Sequence, residues 1–593
     1  MNKIKKFQDL LNQKNIDAYI IPTSDYHNSE YVGDFFKGRA YLTNFTGSAG
    51  TLLITKDKAY LWTDGRYHLQ AAKQIDSKMV TLMKSGTPGV PTILEFLKNY
   101  LKENSVLAFD GKVIPTKTIL EYRAALPNII IQYDIDLLKS VWNARPALPF
   151  SMLYRLEDYY AGETFESKIK RIREKMSEYE ATHHIIVGLD DQAWLYNLRA
   201  NDISNTPVFL AYTIITENQC QLFIDERKID KSIEKYLKDN QITIHPYQDF
   251  YSTISNLEDK TILINLNRVN YTIYESIKEK NKIINAIAPS SLMKAIKNET
   301  EIKNTIFAHI KDGVSFTKFL YYIKNKIGND HSMTEMSVTD YLEKLKETQQ
   351  SFVEPSFTTI CAYKEHGAMI HYTATKDTNA HLLPADFLLV DTGGHYLDGT
   401  TDTTRTIALG PVSDTQKLHF TTVLKSLIAL SEAVFLKGIQ GSNLDILARG
   451  PLWKELMDYK HGTGHGVGYL LSVHEGPNSF RWQNASMVKK DVVLEPGMIT
   501  TNEPGLYLEN KYGIRIENEL LCVPKSNNEF GEFLGFETIT YVPIDLDAID
   551  FNLLTKYEKK WLNDYHKKVY ENIAPFLAED EREWLKQNTR EIK

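Results

Sequence analysis

Four acidic residues and one histidine in the last third of the chain have the types and spacing to hold metal. The run Phe387-Leu-Leu-Val-Asp391-Thr-Gly-Gly leads into Tyr396-Leu-Asp-Gly-Thr-Thr-Asp402. Its β-branched residues and its Gly-Gly and Asp-Gly turn signals read as a hairpin. Asp391 ends an apolar run, a costly place for an uncompensated carboxylate. A turn near residues 396 and 397 predicts that Asp391 and Asp402 face each other, and facing carboxylates repel unless they share a proton or a cation. Met498-Ile-Thr-Thr-Asn-Glu503 and Tyr512-Gly-Ile-Arg-Ile-Glu517 follow the same logic, and a turn around Asn510 sets Glu503 opposite Glu517. Glu517 then lies on the strand face opposite Ile514 and Ile516, so its surroundings are at least half buried. Taken singly, each acid reads as an ion-pair partner of Arg405 or Arg515, or as a turn cap. Four in two hairpins of one domain read as a site.

Between the pairs lies His461-Gly-Thr-Gly-His465-Gly-Val-Gly468. Alternate glycines disfavour a helix and let the backbone approach a ligand closely. The string is not a dinucleotide fingerprint, because the third glycine position holds Val467 or Tyr469. Nor is His474-Glu475 an HExxH zinc helix, since position 478 is Asn. Beside four acids, His465 reads as the single nitrogen ligand. Four carboxylates and an imidazole balance two divalent cations; oxygen-rich ligation favours Mn(II), with Co(II), Fe(II) or Zn(II) also compatible. A pair of metals about 3.5–4 Å apart makes a hydroxide nucleophile at neutral pH.

The elements around these residues follow from punctuation and period. Fifteen of the 30 glycines lie between Gly393 and Gly513, and eight of the 16 histidines between His366 and His474, which places any site in the third segment of the chain. That segment opens at Asn298-Glu-Thr-Glu301, a capping signal, and Ile302, Ile306, His309, Gly313, Phe316 and Leu320 continue one helical face. Upstream, Trp142 to Pro149 reads as a Pro-punctuated linker, and Ala288-Pro-Ser-Ser291 as a second. The segments either side of the first linker share patterns at an offset of 161 to 165 residues. Thr51-Leu-Leu-Ile-Thr55 with Leu61-Trp-Thr-Asp64-Gly-Arg66 matches Thr213-Ile-Ile-Thr216 with Leu222-Phe-Ile-Asp225-Glu-Arg227, which predicts two α/β domains of one fold by duplication. At the other end Trp561, Tyr565, Val569 and Ile573 recur at every fourth position, an amphipathic helix for the body or for a partner subunit.

Composition narrows the class. A net charge of −7 over 593 residues is the wrong sign for general nucleic-acid attraction. Three scattered cysteines (Cys220, Cys361, Cys522) make no disulfide framework and fit a reducing compartment. The basic N-terminus has no apolar run behind it, and no stretch reaches the ~18 apolar residues of a membrane helix. The expectation is a cytoplasmic protein with neither membrane nor nucleic-acid partners.

Asp391, Asp402, His465, Glu503 and Glu517, in this order and with these flanks, resemble the ligands of the pita-bread metallopeptidases: methionine aminopeptidase, prolidase and aminopeptidase P. Gly38-Arg-Ala-Tyr-Leu-Thr-Asn-Phe-Thr-Gly-Ser-Ala-Gly50, Trp62-Thr-Asp-Gly-Arg-Tyr67, Ala193-Trp-Leu-Tyr-Asn-Leu-Arg199 and Pro207-Val-Phe resemble the non-catalytic domains of the long cytosolic Xaa-Pro aminopeptidases. The resemblance implies an α/β (α+β) chain: creatinase/prolidase-type domains at residues 1–141 and 150–296, then a pita-bread catalytic domain at 297–593 with a helical extension from about 545. It implies that the five ligands hold two Mn(II) ions, bridged by Asp402 and Glu517, and that a bridging hydroxide attacks the carbonyl of Xaa-Pro bonds in peptides with proline second. Glu503 would shuttle the proton. His371 would bind the substrate near the scissile bond, His474 would stabilise the oxyanion and His461 would line the proline pocket. Arg66 would reach substrate across a homodimer. A prolidase is the nearest rival, and the second N-terminal domain disfavours it; creatinase and ligand-less pseudo-peptidases of this fold are disfavoured by the intact ligand set.

Overall fold

Short runs of β-branched and aromatic residues closed by Gly, Asn or Asp turns make the strands of the first half. The structure is a computed structural model that describes residues 3–482 and 492–593. The chain divides into two compact units, one reaching residue 157 and resuming over 163–292, the other comprising 158–162 and 293–593.

The first unit contains two six-stranded sheets. One is built from β1 (Ala18–Pro22), β2 (Thr51–Thr55), β3 (Ala59–Thr63), β4 (Thr81–Lys84), β5 (Val106–Phe109) and β6 (Ile130–Gln132), in the order β4-β3-β2-β1-β5-β6. The other uses β7 (His183–Ile186), β8 (Ala211–Thr216), β9 (Cys220–Ile224), β10 (Ile242–Pro246), β11 (Thr261–Ile264) and β12 (Lys282–Asn285), in the order β10-β9-β8-β7-β11-β12. Each position has the same sense in both. The three central strands pair antiparallel and the outer ones join in parallel. The duplication expected from the repeated patterns is therefore present in the topology. It extends to detail. After β3, Arg66 Nε and Nη2 fork onto Asp64 at 2.9 and 2.8 Å, and after β9 Arg227 forks onto Asp225 at 2.9 and 2.5 Å.

The second linker expected near Ala288–Ser291 lies beside the division of the units at residues 292 and 293, and it is helical: Pro289 opens a helix, Pro289–Ala295. Proline lacks only an N–H that the first turn leaves unused, and its fixed φ suits that position.

The second unit begins on α1 (Glu299–Lys326), whose Asn298 and Glu301 form the reciprocal capping box. α2 (Glu335–Glu347) follows, then an antiparallel sheet of β13 (Ile360–Tyr363), β14 (Phe387–Thr392) and β15 (Thr403–Ala408), with β14 central. α3 (Asp414–Ser431) and α4 (Gly441–Lys454) precede a short strand, β16 (Gly464–His465). A long hairpin then runs through β17 (Ile499–Asn502), β18 (Gly505–Leu508), β19 (Tyr512–Arg515) and β20 (Asn518–Asn528), continuing to β21 (Gly531–Thr538). α5 (Lys556–Ile573) and α6 (Glu579–Asn588) close the chain. The amphipathic face of α5 packs on the body of this unit: Leu562, Tyr565, Val569 and Ile573 join Val423, Leu427, Ile514 and Ile516 in one buried cluster.

Candidate metal centre

Two hairpins set the acids, and their registers differ from expectation in one place. β18 pairs with β19 as Gly505↔Arg515 and Leu506↔Ile514, while β17 pairs with β20 as Asn502↔Asn518. Glu503 and Glu517 fall in the break between these ladders at mutually opposite positions, as the turn at Asn510 predicts. In the other hairpin Asp391 pairs with Thr404, not Asp402, and Thr392 pairs with Thr403. The turn sits one residue later than expected, with Tyr396↔Gly399 as the last pair. Gly399 adopts φ +147°, open to glycine, and Lys311 forms an ion pair with Asp398 in the turn. A two-residue shift of register keeps Asp402 on the face of Asp391, so the two acids are diagonal neighbours instead of a direct pair.

Asp402, His465 and Glu517 offer ligand atoms that all lie within 4.8 Å of one another. His465 Nδ1 donates to the Gly466 carbonyl at 3.0 Å. Its Nε2 faces Asp402 Oδ2 and Glu503 Oε1, each at 3.5 Å. A ring nitrogen packed this close to two carboxylate oxygens needs a proton or a cation among them, and a backbone carbonyl fixing the other nitrogen is the usual support of a ligating histidine. Glu517 Oε2 accepts from Thr404 Oγ1 at 2.6 Å. Asp391 Oδ2 accepts from Arg515 Nη2 at 2.6 Å, while its Oδ1 is buried with no hydrogen-bond partner. An acceptor left so is costly and fits a metal ligand.

The electrostatics agree. Burial, then the charges of Glu517, Asp391, Glu503 and Glu519, push the Asp402 carboxyl far above the ordinary range. Burial and the charges of Glu503 and Asp391 do the same to Glu517. Glu503 is raised to about 7, chiefly by burial, with Arg515 opposing. Such a cluster gives up protons readily to divalent cations. The donor set, one imidazole with oxygens otherwise, suits Mn(II)-type ions.

The remaining expected residues are placed as follows. The His474 ring lies edge-on to His465 with centroids 4.3 Å apart. His461 Nδ1 donates to the Gly462 carbonyl at 2.7 Å and lies 3.7 Å from Glu503, while Nε2 accepts from Tyr507 Oη at 2.9 Å. His371 follows Ile370, whose carbonyl lies 3.5 Å from the same Arg515 Nη2 that binds Asp391. Arg66 lies in the first unit, forked onto Asp64. Sequence reasoning left Arg515 as a mere ion-pair alternative and missed Tyr507 and Glu519. Arg515 ties Tyr507 Oη to Asp391, and Glu519 Oε1 accepts from the Asp402 N–H at 2.8 Å. The signal was available: residues 515, 517 and 519 share one strand face by their period of two.

The two repeated sheets, together with the carboxylate–imidazole cluster on paired hairpins, define a metal-dependent hydrolase of the pita-bread class with creatinase-type N-terminal domains. The Creatinase/Prolidase N-terminal domain profile matches residues 3–138, and a second profile of that description matches 144–301. Metallopeptidase family M24 matches 302–524, and the C-terminal region of peptidase M24 matches 532–592. Probable Xaa-Pro aminopeptidase P of Coprinopsis cinerea is 36% identical over 616 residues, covering 100% of this chain and 98% of its own. Aminopeptidase P2 of Arabidopsis thaliana is 36% identical, covering 97% and 86%. The crystal structure of X-prolyl aminopeptidase from Caenorhabditis elegans, described as a cytosolic enzyme with a di-nuclear active site, superposes with a TM-score of 0.95 at 32% identity over 100% of this chain and 99% of that one. The chain belongs to the aminopeptidase P branch of the M24 metallopeptidases.

Proposed function

We propose that this chain is a Xaa-Pro aminopeptidase, removing the N-terminal residue from peptides with proline in the second position. The observation that supports the reading is the convergence of Asp402, His465 and Glu517 ligand atoms within 4.8 Å, in a chain similar over its whole length to aminopeptidase P relatives. Asp391, Asp402, His465, Glu503 and Glu517 would hold two divalent ions, Mn(II) by our assignment. When bound, these supply Lewis acidity and an activated water.

The chain's own residues do the rest. His371 and His474 donate hydrogen bonds to the carbonyl oxygen of the scissile bond as charge develops there. Glu503, at the edge of the cluster beside His465, is placed to pass a proton to the departing proline nitrogen. An Xaa-Pro bond has no N–H and a ring-fixed φ, so the site must read the ring by shape. His461, steadied by Tyr507, lines that side. Arg66 would meet substrate from a second copy in a homodimer, and we assign the enzyme to the cytoplasm. We read the working domains as residues 1–141, 150–296 and 297–593.

The test is Mn(II)-dependent release of the first residue from an Xaa-Pro-Yaa peptide, beside Xaa-Ala-Yaa and an Xaa-Pro dipeptide. Cleavage of the first substrate alone is expected. Cleavage of the dipeptide alone would make the enzyme a prolidase with an extra domain, and no cleavage with metal bound would overturn the substrate.

A further inference from the structure

The segment between β13 and β14 carries His371, and one buried carboxylate stitches it together. Glu335, the first residue of α2, is wholly buried. Its Oε1 accepts from the Tyr363 N–H and from His366 Nδ1, both at 2.8 Å. Its Oε2 accepts from Tyr372 Oη at 2.8 Å and from the Ala380 N–H at 2.9 Å. The four donors come from the start, the middle and the end of residues 363–380. An ionised carboxylate accepts about four hydrogen bonds and donates none, so this set uses its full capacity.

Neighbouring contacts close the circuit. The Glu335 N–H donates to the Ala380 carbonyl at 3.0 Å, and the Met336 N–H to Asn379 Oδ1 at 3.0 Å. Tyr372 Oη also contacts Thr378, and the His366 and Tyr372 rings stack with centroids 4.5 Å apart. In sequence His371 falls between these two anchored residues and directly precedes Tyr372. On its other side, Ile370 approaches Arg515 and hence Asp391.

We propose that Glu335 is a positioning residue for His371: its carboxylate fixes the 363–380 segment so that the His371 ring is presented to the scissile carbonyl. This rests on the role given to His371 above. Loops hold a side chain less precisely than sheets or helices do, and a small misplacement of a donor costs turnover more than binding. A glutamine at 335 would turn an amide NH2 towards two of the four donors.

The test is a double-mutant cycle on the metal-loaded full chain, with kcat and KM measured on an Xaa-Pro-Yaa peptide. Glu335→Gln is expected to lower kcat about tenfold to a hundredfold, with KM and bound metal little changed. In a His371→Ala background the same change should alter kcat by less than about threefold, since there is no ring left to position. Tyr372→Phe removes a single donor and carries the same cycle with a smaller loss, should Glu335→Gln fail to fold. An unchanged kcat in the single variants, or an equal loss in both backgrounds, would overturn the proposal. If His371→Ala alone leaves kcat intact, it is the assigned role of His371 that fails.

Discussion

Arg515 stands between two demands, for it neutralises part of Asp391 while its strand neighbour Glu517 faces the cluster. One guanidinium does not balance four clustered acids, and the consequence is measurable without metal. In the folded, cation-free protein Glu503 titrates at about 7 against an ordinary 4.5, and Asp402 and Glu517 are raised further. A carboxyl raised on folding contributes stability that is full below its unfolded value and is lost as pH rises through the folded one. With a chelator present, the melting temperature should therefore fall between pH 5 and pH 8. The fall should be smaller in Asp402→Asn, and Mn(II) at pH 8 should reverse it. A wild-type melting temperature that is flat or rising over that window would show that the acids are already compensated. With metal present, Asp402→Ala or His465→Ala should reduce peptide cleavage by more than about a hundredfold, the upper range for groups one layer further out. Circular dichroism of both variants should be unchanged. Full activity in either would remove the centre from the mechanism.

At the scale of elements, the close approach of β16 to β17 depends on an absent side chain. A Cβ at Gly464 would overlap the Thr501 carbonyl oxygen. Gly464→Ala should cost about 1–3 kcal/mol in a denaturant titration and weaken metal retention, because His465 is the next residue. Gly450 in α4 meets nothing within 4 Å beyond its chain neighbours, but it precedes Pro451, whose ring opposes a Cβ on a helical residue before it, so Gly450→Ala should be close to neutral. Equal effects from the two would mean that the backbone contact at Gly464 has no cost. These elements also mark what the sequence discloses. Alternation and turn residues placed the Glu503–Glu517 hairpin in its true register, because Asn510 at φ +59° fixes the turn. The Asp391–Asp402 hairpin was read two residues out, since Asp398-Gly399 allows more than one turn position and a buried partner, Lys311, makes the choice. Partners distant in sequence, such as Glu335 for the His371 segment, leave no local pattern to read.

Over the whole molecule, the end of the chain reaches the site through one buried arginine. Arg405 on β15 donates through Nη1 to the Glu517 carbonyl at 2.6 Å and through Nη2 to Tyr565 Oη at 2.7 Å on α5. The same Nη2 reaches Asn518 Oδ1 and the Val542 carbonyl, both at 2.8 Å. Arg405 has no carboxylate partner among these acceptors, so its charge is carried by carbonyl, amide and hydroxyl oxygens, and each one lost weakens a charge-assisted hydrogen bond. The α5 face that supplies Tyr565 also buries Leu562, Val569 and Ile573, worth about 1.5–3 kcal/mol each. Ending the chain after residue 554 therefore removes burial comparable with the whole ~5–15 kcal/mol margin of a typical domain. The truncated protein should be recovered aggregated or without its cooperative thermal transition. Tyr565→Phe isolates the polar contribution. It should lower stability by about 1–3 kcal/mol and reduce metal affinity through the slackened backbone at Glu517. A truncated chain that melts cooperatively and cleaves peptide at the full-length rate would show that the strand carrying Glu517 holds its place without the C-terminal helices.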